Sequence, residues 1–173
     1  MKKFLLLLVV IPFLLFSQQL KDDPILNAMN SEIARAMKEL KSDDGIKPYY
    51  ICYTIDENAI HNISATHGVL TNSNYTKSRY LDVDLRVGSP KLDNTHKIKE
   101  RVMMLFPPPP VEISINDNKD ALRYRLWLET ESTFRDAIQR YQKVLASTTL
   151  NTLQSDTSSD FSIESPTNYY ENV

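Results

Sequence analysis

The chain has 173 residues, 42% of them hydrophobic and 24% charged, with a formal net charge of −2, a pI of about 5.9 and one cysteine. This balance lacks the basic excess of a nucleic-acid-binding face, and a lone cysteine allows no internal disulfide. The length suits one domain with a real core and leaves little for a second.

The first residues read as an export signal. Lys2 and Lys3 give a positive start, and Phe4 to Phe16 is an almost unbroken apolar run interrupted by Pro12. A membrane-crossing helix needs roughly 20 apolar residues, so this shorter run is read as a signal h-region. The signal is assigned to residues 1–18, with cleavage near Ser17 or Gln18. The mature chain is expected to be exported, periplasmic or extracellular, with no stable membrane span. Cys52 lies far from the signal, so no lipid-anchor cysteine follows it.

The first mature element is a helix, because Ile25, Met29, Ile33, Met37 and Leu40 recur at helical spacing. Asp22 and Asp23 can cap its start, Pro24 suits the first turn, and Lys38 and Lys41 complement the negative end of its dipole. Gly45 and Pro48 end it. Tyr49 to Ile55 is a run of aromatic and β-branched residues, read as a strand covered on both sides, as a central strand would be. Ala59 to Thr66 alternates imperfectly, Gly68 marks a turn and Val69 to Thr71 resumes, which reads as a meander. Arg79 to Val87 alternates cleanly, with Leu81, Val83, Leu85 and Val87 on a buried face and Tyr80, Asp82, Asp84 and Arg86 on a wet one.

Gly88-Ser89-Pro90 breaks that strand, and Lys91 to Lys99 is polar and loop-like. Pro107 to Pro110 hold an extended polyproline geometry, which serves a rigid crossing as well as a proline-reading partner; the crossing is the reading taken. A second helix runs through Leu122, Leu126, Phe134, Ile138, Tyr141 and Leu145, with Trp127 expected to cap the core. From Ser147 the composition turns polar without a period, as in a linker or loose tail. The expected fold is α+β: an amino-terminal helix, an antiparallel meander sheet, a second long helix and a polar tail. The domain is placed at residues 22–147 and the linker-like tail at 148–173.

The chemistry-bearing residues form no complete set. His61, His67 and His96 lack the i+3 or i+4 partner of a helical zinc motif and read as surface histidines. Cys52 reads as an apolar strand residue, with no nucleophile elbow nearby. Gly45, Gly68 and Gly88 are too far apart for a phosphate-cradling loop. Asp82 and Asp84, beside Arg79 and Arg86, read as a solvated charged face, and Glu131 to Arg135 as an ordinary i,i+4 pair. No catalytic, cofactor-binding or metal residue is assigned.

Phrases spread along the chain nevertheless fall in a familiar order. Ala28-Met29 through Met37-Lys38-Glu39-Leu40, then Lys47-Pro48-Tyr49-Tyr50-Ile51 with Tyr53, resembles the amino-terminal domain of exported TldD/PmbA-related metallopeptidases. Ile63-Ser64-Ala65 with Gly68 and Leu70, Ser78-Arg79 through Asp84-Leu85-Arg86-Val87-Gly88, and Lys91-Leu92-Asp93-Asn94-Thr95 are similar to that family's strands and following loop. Ala121-Leu122-Arg123 through Leu126-Trp127-Leu128-Glu129-Thr130, and Asp160-Phe161-Ser162 with Glu164 and Pro166, extend the likeness. The resemblance implies peptidase ancestry. It places the zinc-binding histidine motif of full-length relatives outside the matched region, so no catalytic residue carries over. The expectation is a truncated or split member, a non-catalytic part serving assembly or the substrate channel of a larger proteolytic complex, its partner a TldD/PmbA-like catalytic chain or a second copy. The alternative is a free-standing exported binding module, or a remnant, without enzymatic activity.

Overall fold

A computed structural model describes residues 23–98, 109–150 and 158–165, together with 167 and 169. The signal segment, Pro107 and Pro108, and residues 151–157 of the tail lie outside the described residues. In chain order the elements are α1 (Pro24–Glu39), β1 (Pro48–Thr66), β2 (Val69–Ser89), β3 (Leu92–Asp93), β4 (Val111–Ile113) and α2 (Lys119–Leu150). The α+β architecture with two helices and an antiparallel sheet follows the sequence reading.

α1 begins where Asp23 Oδ1 accepts from the Ile25 and Leu26 amides at 2.8 and 3.2 Å, with Pro24 in the first turn. Its innermost stripe is Ala28, Glu32 and Ala36, flanked by Ile25, Met29 and Ile33, whereas Met37 is exposed. Small residues at the centre of the face let the helix sit close to its neighbours. Glu32 is buried there because Arg35 meets its carboxylate with a forked contact of 2.6 to 3.0 Å and also lies 3.5 Å from Glu131 on α2.

β1 and β2 form one continuous antiparallel hairpin, paired from Pro48↔Val87 out to Thr66↔Val69. His67 and Gly68 turn it, both with positive φ, as a two-residue hairpin of this handedness requires. β3 pairs with the end of β2 and β4 with Leu81 to Arg79, so β2 is the central strand and β1 an edge. This corrects the central-strand reading of Tyr49 to Ile55. The helices lie on its inner face; on its outer face Phe161 lies against Tyr49 and Tyr50, while Thr54 is exposed.

Both helices cover the same sheet face, making two layers. One core cluster joins Ala28, Tyr53, Leu81, Ile113, Leu122 and Leu126; the next joins Ala36, Leu40, Leu85, Val87, Phe134 and Ala137, with Ile51 packed against both. Gly88 allows α2 to approach, since a Cβ there would stand 2.6 Å from the Tyr141 ring and 2.7 Å from the Leu92 carbonyl. Thr130 Oγ1 donates to Leu126 O at 2.7 Å, so Tyr53 Oη is the donor in the buried Tyr53–Thr130 bond. Burial pushes the Tyr53 phenol up to about 12. Trp127 does not cap the core; it stands on the outer side of α2, 39% exposed, with its ring 5.9 Å from that of Tyr124. Leu122, Leu126 and Thr130 already fill the helix face at that level.

Two substitutions rank the core contributions. Leu126→Ala removes a side chain only 1% exposed and is expected to cost about 2–5 kcal/mol. Tyr53→Phe leaves Thr130 bonded to Leu126 O and is expected to cost about 1 kcal/mol. Urea midpoints of the two variants check this order.

Candidate functional site

The hairpin is much longer than the layer that covers it. From Asp56 to Lys77 every residue is exposed, so the distal parts of β1 and β2 project as an arm. About nine residues per strand at about 3.3 Å each give a reach of about 30 Å. Between Asn58 and Thr76 there is no Asp, Glu, Lys or Arg. Ile60, Ile63, Val69, Leu70 and Tyr75 are each more than half exposed on it. Edge strands of this length usually carry charges or proline that block pairing with another chain, and this arm has neither.

Both of its edges are open among the described residues. Within the body, Val87 and Leu85 turn their backbone groups away from β1 onto Asn94, whose Oδ1 accepts from the Val87 amide at 2.9 Å and whose Nδ2 donates to Leu85 O at 3.4 Å. The alternation carried along the register turns the backbone groups of Ser73 and Tyr75 outward on the β2 edge and those of Ala59, His61 and Ile63 outward on the β1 edge. The arm therefore offers two ladders of donors and acceptors to an incoming strand.

Charge gathers instead at the base. Arg79, its side chain 2% exposed, lies on the helix-covered face, not beside Asp82 and Asp84 as the sequence reading placed it. It donates to Glu57 Oε2 through Nε at 3.0 Å and to Asp117 Oδ1 at 2.8 Å, and its Nη1 reaches Ser114 O at 3.2 Å. Lys77 Nζ is 2.6 Å from the other Glu57 oxygen. Hydrogen bonds from Lys77 and then Arg79 hold the Glu57 carboxyl below its ordinary range. The loop before α2 is thus tied to both strands where the arm leaves the body.

A second polar cluster lies on the opposite face. The β1–β2 register shifts between Pro48 and Tyr50, so Tyr49 is the extra residue of a bulge and both tyrosine rings reach Phe161. Tyr49 Oη donates to Asp93 Oδ2 at 2.7 Å, while Asp93 Oδ1 accepts from Thr95 N at 2.6 Å and Thr95 Oγ1 at 2.7 Å. Burial works to raise the Asp93 carboxyl, but the bonds from Thr95 and Tyr49 and the charge of Arg86 outweigh it, and its pKa is lowered. Burial first, and then the bond to Asp93, push the Tyr49 phenol up. Residues 158–165, read from the sequence as a loose tail, are held here through Asp160 and Phe161. Composition concealed this, since one carboxylate and one ring in a polar stretch make no periodic signal.

The sequence candidates stay apart. His61 Nε2 is 2.9 Å from Ser73 Oγ on the arm, His67 Nδ1 is 3.1 Å from Thr66 Oγ1 at its tip, and His96 Nδ1 is 2.7 Å from Asp160 Oδ1. Among the described residues no three His, Cys, Asp or Glu side chains are placed to hold a metal ion, so these donors do not fit zinc. Cys52 is a half-buried free thiol on the outer sheet face. Asp84 lies 3.4 Å from Arg86, with Asp82 exposed beside it. The expected Glu131–Arg135 pair is not formed: Arg135 Nε donates to the Glu131 carbonyl, and the Glu131 carboxylate faces Arg35 instead. Among the described residues no helix is long and apolar enough to cross a membrane. No family model, curated protein or solved structure matches this chain.

Two outcomes test the electrostatics. Arg79→Met keeps the stem but strips Glu57 and Asp117 of their buried donor; a loss of about 1–3 kcal/mol in urea unfolding is expected. Asp93 is depressed below 3.8, so its contribution is complete above that pH and disappears as pH falls through the lower folded value. Unfolding midpoints followed from pH 5 downward are expected to fall less steeply in Asp93→Asn than in the parent.

Proposed function

We propose that this chain is a non-catalytic assembly module of the TldD/PmbA-like kind, which docks onto a larger proteolytic partner through its β-arm. The observation that carries the reading is the arm itself: exposed, free of Asp, Glu, Lys and Arg from Asn58 to Thr76, apolar at Ile63, Leu70 and Tyr75, and open at both edges among the described residues. An arm of this length lying against one flat surface buries a strip a few hundred Å² in area, below the roughly 800 Å² per partner of a stable interface. Enclosed in a groove that covers both faces and pairs with one edge, it reaches that size. A groove-bearing partner chain is therefore the fitting occupant, and strand addition supplies its affinity while the alternating side chains supply its specificity.

The peptidase part of the reading rests on the residues that resemble the family. Those phrases are far apart in sequence, yet Tyr49, Tyr50, Arg86, Asp93, Asp160 and Phe161 meet in one cluster.

The test is capture of partners from the native envelope by the tagged chain and by an Ile63→Lys/Tyr75→Lys variant, which puts charge on one face of the arm and leaves the core untouched. The expected result is chelator-sensitive peptidase activity in the parent eluate and at least a tenfold loss of it with the variant. Equal recovery by both chains would rule out the arm, and a specific partner without peptidase activity would leave a binding module.

A further inference from the structure

The outer-face cluster has the anatomy of a filled binding site. Its occupant is the Asp160–Phe161 dipeptide, separated by more than sixty positions from the loop that receives it. The carboxylate is taken by two donors from that loop: Asp93 N to Oδ2 at 2.9 Å and His96 Nδ1 with Oδ1 at 2.7 Å. The Phe161 amide donates to Pro90 O at 3.0 Å, fixing the direction of the dipeptide. The phenyl ring is bounded by Tyr50 at 4.8 Å, by the edge of Tyr49 at 6.0 Å and by the Arg86 guanidinium 4.9 Å from its centroid.

The receiving side owes its own shape to residues outside the occupant. Asp93 is fully buried and braced by Thr95, Tyr49 and Arg86; Asn94 is pinned to Val87; and the bulge at Tyr49 sets the two tyrosine rings. Every one of these bonds lies between residues 49 and 95. The occupant adds three polar contacts and one ring, roughly what a short linear peptide brings to a receptor. Among the described residues the buried Arg86 Nε has no hydrogen-bond partner, and the guanidinium carbon stands over the Phe161 ring.

We propose that this pocket is a recognition site for a short peptide that bends at an Asp-aromatic pair, filled in this chain by its own Asp160–Phe161 and open to the same sequence presented in trans. The two halves divide the labour. The amide and imidazole select a carboxylate, and the Tyr–Tyr–Arg surround selects a flat ring one residue further on. Its own segment, tethered to the domain, competes at an effective concentration of order millimolar. A trans peptide therefore gains access once the cis segment is weakened or outnumbered.

The test uses the full chain carrying Asp160→Asn and Phe161→Ala, which empties the pocket, and a fluorescent peptide of residues 158–165 followed by anisotropy. The emptied chain is expected to bind this peptide at least tenfold more tightly than a peptide with either substitution, and at least tenfold more tightly than the parent chain does. Adding Arg86→Ala to the emptied chain is expected to remove the discrimination at the ring position. Equal binding of altered and unaltered peptides would overturn the proposal, as would no binding at millimolar peptide. Loss of the helical circular-dichroism signal on emptying the pocket would do the same, because a recognition site survives without its ligand and a structural strut does not.

Discussion

The register between Pro48–Thr66 and Val69–Ser89 is the constraint on which the rest of the structure depends. Side chains on a strand alternate, so a slip of one residue would exchange the two faces along the whole hairpin. In the observed register Ile51, Tyr53 and Ile55 stand with Leu81, Val83 and Leu85 beneath the helices. The same pairing puts Tyr50 opposite Arg86 on the outer face, where Phe161 comes to rest. It also carries Ile63 and Tyr75 onto the uncovered continuation of the inner face. Core, pocket and arm are three stretches of one ladder.

What differs along that ladder is what covers it. The helices end near the level of Ile55, and Arg79 marks the border with a nearly buried guanidinium between two more exposed carboxylates. Taking such a charge out of water is costly, and it is offset here only because every contact is charge-assisted and Ser114 O takes a further N–H. The arrangement acts as a seam: apolar packing holds the body, ion pairing holds the seam, and the arm beyond it is held by its backbone ladder with a few exposed side-chain bonds such as His61–Ser73. A hairpin held that way is stable only as an extension of a sheet already formed. The neutral arm, paired on its inside edges and open on its outside ones, is accordingly the part of the molecule best suited to being completed by another chain.

Much of this was legible in the residues. Asp23-Pro24 announced a helix start, Gly68 a turn, and the strict alternation from Leu81 to Val87 a buried and a wet face. The face of α1 was read from its large residues, whereas its centre is Ala28, Glu32 and Ala36, because close helix packing favours small side chains and a bidentate arginine makes a buried glutamate tolerable. Tyr49 to Ile55 reads as central because its aromatic and β-branched run lacks strict polar alternation, yet it is an edge strand whose outer face carries Phe161 at Tyr49 and Tyr50 and an exposed Thr54 beyond. The imperfect alternation of Ala59 to Thr66 concealed the length of the hairpin, because neither face of the arm is buried and nothing in this structure enforces a pattern there. The outer-face pocket was least legible of all. Its parts lie at Tyr49, Arg86, Asp93 and Asp160, and only the bulge and the loop after β3 bring them together.

The hairpin remains paired past its covered half, with outer edges that are open among the described residues. Amide hydrogen exchange resolved by residue in the isolated chain tests this most directly. Slow exchange is expected for the amides that face across the arm, such as Asn62 and Asn74, and fast exchange for the outward-facing amides of Ala59, His61, Ile63 and Tyr75. Fast exchange at both sets would mean that no arm is formed, and slow exchange at both would mean that its edges are already occupied; either result would contradict the account.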